Sequence, residues 1–598
     1  MTDDLTFEPP IDLSDDILPY NYVPAAFGTW ASPPLAKSRV LIALPDPDSP
    51  QPRQAAKYYI LSAKTQNNPS ALGKIMLDLA DGETAPHRCL FGPPSLSGRA
   101  DVDAAFNLAF DPLEPDNGPR PTQIAIIIDI GIAFWNDRFR GPDAPRFKGM
   151  WFLDFDAPAA GKSALTLLDA AAVDAMCRLA DQPGGTDKVT TALAQDFPGS
   201  WYGQSGGAPD ALWHGTAMAD LMAGLPPGTA DTTALFGIEL PLELLRDADG
   251  DTLSVVLPLM IEAAISLTHG FTDIPLVIML PWGFSAGPQD GSHPAAQAVA
   301  RVLDRARASV DPAVPGRDIK LLLPAGNQLQ DRCCAHLMPV AAADPEQTVR
   351  WRLPPDDFSQ NAVEVIVTPS VPPSVTQKAR IAPPTGAPFV AALKQRQAVL
   401  IRRGPDLVGL LIRFRDTAAT ATIPSRPRLR LVLAPTGWQP DGLRPAPSGD
   451  WTLSFAATDE VRLWVLRDDR DWRLDGPFPR RASSLLDTDY QDKDSLGNYP
   501  LTDDPDSVVV RSGTLSLLAS VRGVMAVEAR EHLIGHDPGQ AWYSGRKSDG
   551  TVLAENALVD QDSRSSGVSA AANGSNHRIR VSGTSAAVAL RARALLAL

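Results

Sequence analysis

Four short stretches of this chain carry side chains able to do chemistry together: Asp129-Ile130-Gly131, His214-Gly215-Thr216-Ala217-Met218-Ala219, Ala325-Gly326-Asn327 and Gly583-Thr584-Ser585-Ala586-Ala587. A serine hydroxyl is a weak nucleophile until a neutral imidazole accepts its proton. The imidazole in turn keeps the useful tautomer only when its other nitrogen donates to a carboxylate. The oxyanion formed in acyl transfer needs N–H donors already in place, and a carboxamide or the backbone amide at a helix start supplies them. Each stretch alone also has a plain structural reading. Asp129 could close a turn after a strand, His214 cap a helix, Asn327 sit in a turn and Ser585 act as an N-cap. The other histidines (His87, His269, His293, His336, His532, His536 and His577) stand in no comparable setting.

The elements around these residues are legible. Gln123 to Asp129 (QIAIIID) is a continuous apolar run rich in β-branched residues, the pattern of a strand buried on both faces of a parallel sheet, with its carboxylate at the carboxyl end. Leu253 to Thr268 and Ala295 to Ala308 have helical spacing, Pro275 to Leu280 and Ile319 to Leu323 read as buried strands, and Ser585 to Ala597 reads as a terminal helix. Met218, Leu221 and Met222 form an apolar face that would fix His214 on a rigid helix. This alternation predicts an α/β, doubly wound, mostly parallel sheet. After about residue 341 the pattern turns to period two: Val363, Val365 and Val367, then Leu429, Leu431 and Leu433, then Trp451, Leu453 and Phe455. The expected organisation is an N-terminal region of uncertain type over 1–118, a catalytic part over 119–344, an inserted β-sandwich over 345–480 and a second catalytic part over 481–598. Thr514 to Ala519 reads as strand-like, Leu167 to Leu179 as a helical patch suited to a lid, and Arg426 to Arg430 as the solvated face of a strand.

In the order Asp, His, Ser, each on a fitting element, the four stretches resemble the subtilase family of serine peptidases, over about 120–340 and 500–598. The resemblance implies a subtilisin-like fold and a serine endopeptidase acting through an acyl-enzyme. Ser585 would be the nucleophile, His214 the general base, Asp129 its orienter and Asn327 the oxyanion-hole donor. It also implies that Leu280, Pro281, Trp282 and Gly283, with Ala325 and Gly326, line the substrate. No cofactor or catalytic metal is expected, although subtilases often bind structural calcium. Asp247 to Asp251 has part of a calcium-loop pattern but no glutamate at the closing position, and reads as a turn and helix cap.

Several positions depart from the family pattern. Ile130 replaces a threonine or serine, Met218 a valine, and Ala589 a proline after the nucleophile. Pro281 offers no backbone donor to a substrate strand, and Trp282 adds bulk where the family has glycine. Between Asp129 and His214 lie 84 residues, more than a minimal subtilase needs, and the segment between Asn327 and Ser585 holds the inserted strands. These features leave a second reading open, a catalytically weak or inactive binding scaffold on the same frame. An esterase would keep the triad and change the substrate, whereas an α/β-hydrolase would place its serine first.

Composition narrows the partners. The 598 residues carry 54 basic and 70 acidic side chains, a net charge of -16, which argues against nucleic acid as partner. The acidic start lacks a secretory pattern, and no run approaches the ~18 apolar residues of a membrane span. The expectation is a cytoplasmic protein that meets protein or peptide substrates, restrained by an insertion or a regulatory protein partner. Four cysteines (Cys89, Cys177, Cys333 and Cys334) are too few for a disulfide framework, and the adjacent pair reads as ordinary thiols.

Overall fold

The computed structural model of the chain describes residues 5–12, the strand positions 40–45, 56–61, 88–91 and 102–107, and most of 120–598. The longest stretches outside the described residues in that last part are 155–164, 242–252, 414–425 and 467–480. The calcium-like stretch Asp247 to Asp251 lies among them.

The expected α/β doubly wound class is corrected by the structure, which is predominantly β. Two nine-stranded sheets, a five-stranded, a four-stranded and a two-stranded sheet stand against seven α-helices among the described residues. The alternation of strands and helices that suggested the doubly wound class belongs to one of these sheets only. The other sheets are antiparallel throughout. Among the described residues the antiparallel strands, many of them between 346 and 466, outnumber those of that one sheet.

The sheet that positions the candidate residues runs, in order, Gly539–Gln540, Met525–Glu531, Ile319–Pro324, Leu276–Met279, Gln123–Asp129, Thr233–Glu239, Phe147–Leu153 and Leu165–Asp169. Glu555–Asp560 is added beside Met525–Glu531. Its interior pairings are parallel, and antiparallel strands close two of its edges. Gln123–Asp129 lies centrally, and residues 124–129 are fully buried because the Ile-rich run has apolar neighbours on both faces. Helices His214–Ala223 and Thr584–Leu595 pack on each other, the first against the Gln123–Asp129 strand and the second against Met525–Glu531 and Ile319–Pro324. Leu253–Leu267 and Pro294–Arg307 form a second helical pair.

Three local readings change. Leu167 to Leu179 is an edge strand, Leu165–Asp169, followed by a helix, Ala170–Ala180, with Asp169 capping Ala172 N at 2.8 Å. It is tied into the sheet by the pairing with Phe147–Leu153. Thr514 to Ala519 is a loop leading into a 3-10 turn, Leu517–Ser520. Arg428 and Arg430 are not solvated: they are 3% and 1% exposed, and Arg428 is paired with the buried carboxylate of Glu364. Burial and the neighbouring Arg430 pull the Arg428 guanidinium well below its ordinary value.

The second nine-stranded sheet runs Leu5–Phe7, Gln397–Arg403, Asp406–Arg413, Arg428–Leu433, Asn361–Thr368, Glu460–Leu466, Cys334–Leu337 and Val509–Val510, with Ile11–Asp12 also paired to Gln397–Arg403. Asn361–Thr368 is central here, so Val363, Val365 and Val367 are buried and so are the residues between them, and period two is lost in the burial pattern. The amino-terminal strand is held by Phe7 stacked on Phe389 at 4.6 Å and by Glu8 accepting from Arg402 at 2.5 Å. One continuous apolar core joins this sheet to the one that carries Asp129.

Removing one partner of a buried ion pair leaves an uncompensated charge. Glu364→Ala is therefore expected to lower the unfolding free energy by about 3–5 kcal/mol, read from urea or thermal unfolding. A loss under ~1 kcal/mol would show that this pair behaves like an exposed one.

Candidate active site

The site begins at the end of the central strand. Asp129 is fully buried, and its carboxylate accepts from its neighbour Ile130 N at 2.8 Å and from His214 Nδ1 at 2.8 and 3.0 Å. A third donor, Trp282 Nε1, reaches it at 2.5 Å. The chain then turns through Gly131 at φ 72, a conformation that side chains with a Cβ seldom adopt. This turn seats the histidine helix. Gly215 N donates to Ile130 O at 2.8 Å, Thr216 N to Gly131 O at 3.0 Å, and Thr216 Oγ1 to Gly131 O at 2.7 Å while accepting from Ala133 N at 2.7 Å. A Cβ on Gly215 would lie 2.7 Å from Ile130 O and from Ile132 Cγ1, so only glycine lets the helix start this close to the turn. His214 itself stands at the first position of the helix, 28% exposed, while residues 215–223 are buried.

Ser585 stands in the first turn of Thr584–Leu595, after Gly583 at φ 99. Its Oγ donates to Pro281 O at 2.7 Å. Pro281 and Trp282 are consecutive, so one dipeptide contacts both ends of the arrangement: the carbonyl of one accepts from the serine, and the indole of the other donates to the aspartate. The Trp282 ring also meets the His214 ring edge to face, with centroids 6.1 Å apart.

Asn327 is exposed, and its Oδ1 accepts from Thr584 N at 3.0 Å and Thr584 Oγ1 at 2.9 Å. With the oxygen engaged twice, Nδ2 is the end left to donate. Gly326 N donates to Thr584 Oγ1 at 3.2 Å and Gly583 N to the Tyr543 hydroxyl at 3.0 Å, so the asparagine loop and the serine turn are stitched together. The remaining residues read as substrate-lining are mostly buried. Leu280 and Ala325 are fully buried and Trp282 is 6% exposed. Leu280 N is held by Leu322 O at 3.2 Å, and Ala325 N by Val527 O at 2.9 Å. Gly283 is partly exposed, and a Cβ there would lie 2.9 Å from Ser516 Oγ.

Glu239 was not singled out from sequence, although the signal was present: TALFGIE ends an apolar run on a carboxylate just as QIAIIID does. It pairs in register with Asp129 on the neighbouring parallel strand. It is fully buried and accepts from Gly131 N at 2.6 Å and Ile132 N at 3.1 Å, so it holds the turn that carries the histidine helix. Burial raises its carboxyl to about 8, with the Asp129 charge adding to the rise and the two backbone donors opposing it. The Tyr202 hydroxyl closes the same turn by donating to Ile132 O at 2.8 Å.

Among the described residues no group of three or more His, Cys, Asp or Glu side chains could hold a metal ion, and no helix is long and apolar enough to cross a membrane. Cys177, Cys333 and Cys334 are free and buried, and burial pushes the Cys334 thiol well above its ordinary value.

No family model matches the chain, and no curated protein sequence matches it. Three solved chains match in structure. One is the CspB protease of Clostridium perfringens, 12% identical, with a TM-score of 0.51 over 80% of this chain and 82% of that one. The fold is shared with a protease. At this identity the likeness concerns the arrangement of the backbone.

The raised Glu239 carboxyl has a consequence for stability. Between an ordinary carboxylate value, 4.5, and about 8 the folded protein keeps a proton that the unfolded chain releases. Stability contributed by this group is therefore lost as pH rises through that window. Replacing it by Glu239→Gln removes the titration, so the melting temperature of the variant relative to the wild type is expected to rise from pH 5 to pH 8. An unchanged difference across that range would refute the neutral, proton-bearing state.

Proposed function

We propose that the chain is a serine endopeptidase whose catalytic residues are those of the subtilase pattern. The observation that carries the reading is the convergence of Ser585, His214 and Asp129 on the Pro281–Trp282 dipeptide, with Nδ1 of His214 on the aspartate. With Nδ1 donating to Asp129, Nε2 is the nitrogen able to take a proton. In the reaction Ser585 Oγ turns from the Pro281 carbonyl to His214 and attacks the scissile carbonyl carbon, giving its proton to Nε2. The oxyanion is met by Asn327 Nδ2 and the Ser585 backbone N–H. The amine leaves with the proton from His214, and water, deprotonated by the same imidazole, releases the acyl group and restores the hydroxyl. The shared fold with a protease supports the peptidase class, and the asparagine held oxygen-first by Thr584 supports the oxyanion role.

The weak or inactive scaffold is the second reading, favoured by one observation: Ser585 Oγ donates to a main-chain carbonyl, a partner that cannot take its proton. A fluorophosphonate probe separates the two, because it reacts only with an activated serine. Labelling is expected in the wild type and lost in Ser585→Ala and His214→Ala. A folded wild type that does not label would leave the scaffold reading.

For a hydrolysed peptide, Asn327→Ala is expected to lower kcat about 100- to 1000-fold with little change in KM, because its amide meets charge present only in the transition state. That range is the one measured on the corresponding donor of subtilisin. A pure rise in KM would assign Asn327 to substrate binding instead.

A further inference from the structure

The tryptophan at 282 was read from sequence as bulk in the substrate cleft, but its burial and its hydrogen bond place it behind the site. The residue is 6% exposed, and its indole N–H donates to Asp129. Residue 130, which follows the aspartate, is isoleucine and brings only its backbone N–H to that carboxylate. The third donor that a buried, ionised carboxylate requires thus comes from a segment 153 residues further along the chain. An indole is suited to this task. It donates one N–H, accepts nothing, and its large apolar ring excludes water from the charge it serves.

We propose that Trp282 is a positioning residue of the His214–Asp129 pair: its indole N–H fixes the Asp129 carboxylate and its ring edge limits the rotation of the His214 imidazole. Asp129 Oδ1 receives Ile130 N at 2.8 Å, Trp282 Nε1 at 2.5 Å and, more weakly, His214 Nδ1 at 3.0 Å, while Oδ2 is left for the shorter contact with Nδ1. The indole therefore determines which oxygen faces the histidine. Because Trp282 follows the proline whose carbonyl receives the Ser585 hydroxyl, movement of this dipeptide acts on both ends of the site together. The only other acid described against Asp129 is Glu239, which is engaged with the backbone of Gly131 and Ile132 and does not substitute for the indole.

Removing a donor from the carboxylate leaves more negative charge facing the imidazole, which favours the protonated ring. The test uses the full chain and compares Trp282→Phe with a protein carrying benzothienylalanine at 282, which keeps the bicyclic shape and replaces N–H by sulfur. Two quantities are read: the titration of the His214 ring by NMR with labelled histidine, and the pH profile of fluorophosphonate labelling. Only the second rests on the acyl-transfer reading. The expected result is that in the sulfur analogue the His214 midpoint moves to higher pH by about half a unit or more and the acid limb of labelling follows it. Labelling at neutral pH should fall about tenfold. Should Trp282→Phe fail to fold, the shape-preserving analogue decides. An unmoved His214 titration in a folded analogue overturns the proposal, whether or not labelling falls, because a fall alone would then reflect packing. A moved titration with no labelling in the wild type would keep Trp282 as positioning residue and remove the peptidase reading.

Discussion

A carboxylate with no exposed surface stands at the end of the central strand, and the candidate site is arranged around the need to compensate it. Moving such a charge out of water is unfavourable by several kcal/mol, about the whole margin of stability of many domains, unless donors surround it. Asp129 has three kinds: a backbone amide one residue on, an imidazole from the start of helix His214–Ala223, and an indole from the segment that follows the neighbouring strand Leu276–Met279. Each donor fixes an element. The amide shapes the turn, the imidazole requires helix His214–Ala223 to begin at one place, and the indole draws the 281–283 segment against the pair. The glycine at 215 is the steric counterpart of this electrostatic demand, since the helix could not reach the turn with a Cβ there.

A second acid sits beside the first without competing for its donors. Glu239 ends the adjacent parallel strand, so the geometry of a parallel sheet, which aligns the carboxyl ends of neighbouring strands, brings the two acids together. Its partners are the amides of the same turn, and burial together with the Asp129 charge pushes its carboxyl up, which disfavours two like charges side by side. The turn between Asp129 and Ala133 is thus held from the strand side by Glu239, from the helix side by Thr216 and from above by Tyr202. The Asp129 carboxylate, on so constrained a turn, has little conformational freedom left to lose.

Local patterns were legible where one physical demand dominated. The run QIAIIID reads as a strand buried on both faces because nothing else in water tolerates it, and Gln123–Asp129 is that strand. The helices over 253–267 and 294–307 show their spacing in the same way. The class of the whole fold was not legible, since two large antiparallel arrays between 334 and 510 outweigh the helices and their strands are not uniformly alternating. Asn361–Thr368 is buried on both faces, and Arg428 and Arg430 are drawn inward by Glu364 and its surroundings, so polar residues there do not mark solvent. Trp282 was noticed for its size and missed for its N–H. Its partner lies far away in sequence, and a contact of that kind follows only once the strand order is known.

The small strand Leu5–Phe7 has a consequence that its length does not suggest. Antiparallel pairing with Gln397–Arg403, with Glu8 bonded to Arg402, joins positions 394 residues apart and makes the chain between them a closed ring in the topological sense. The entropy lost on closing a ring grows only with the logarithm of its contour, so length added or removed between the two attachment points alters the cost of the closure very little. Two pieces made by a backbone scission in an exposed loop inside the ring would still share the strand pair and the common core. The strand Leu5–Phe7 is in this way a clasp, tying the folded particle together at a point far from its neighbours along the covalent chain.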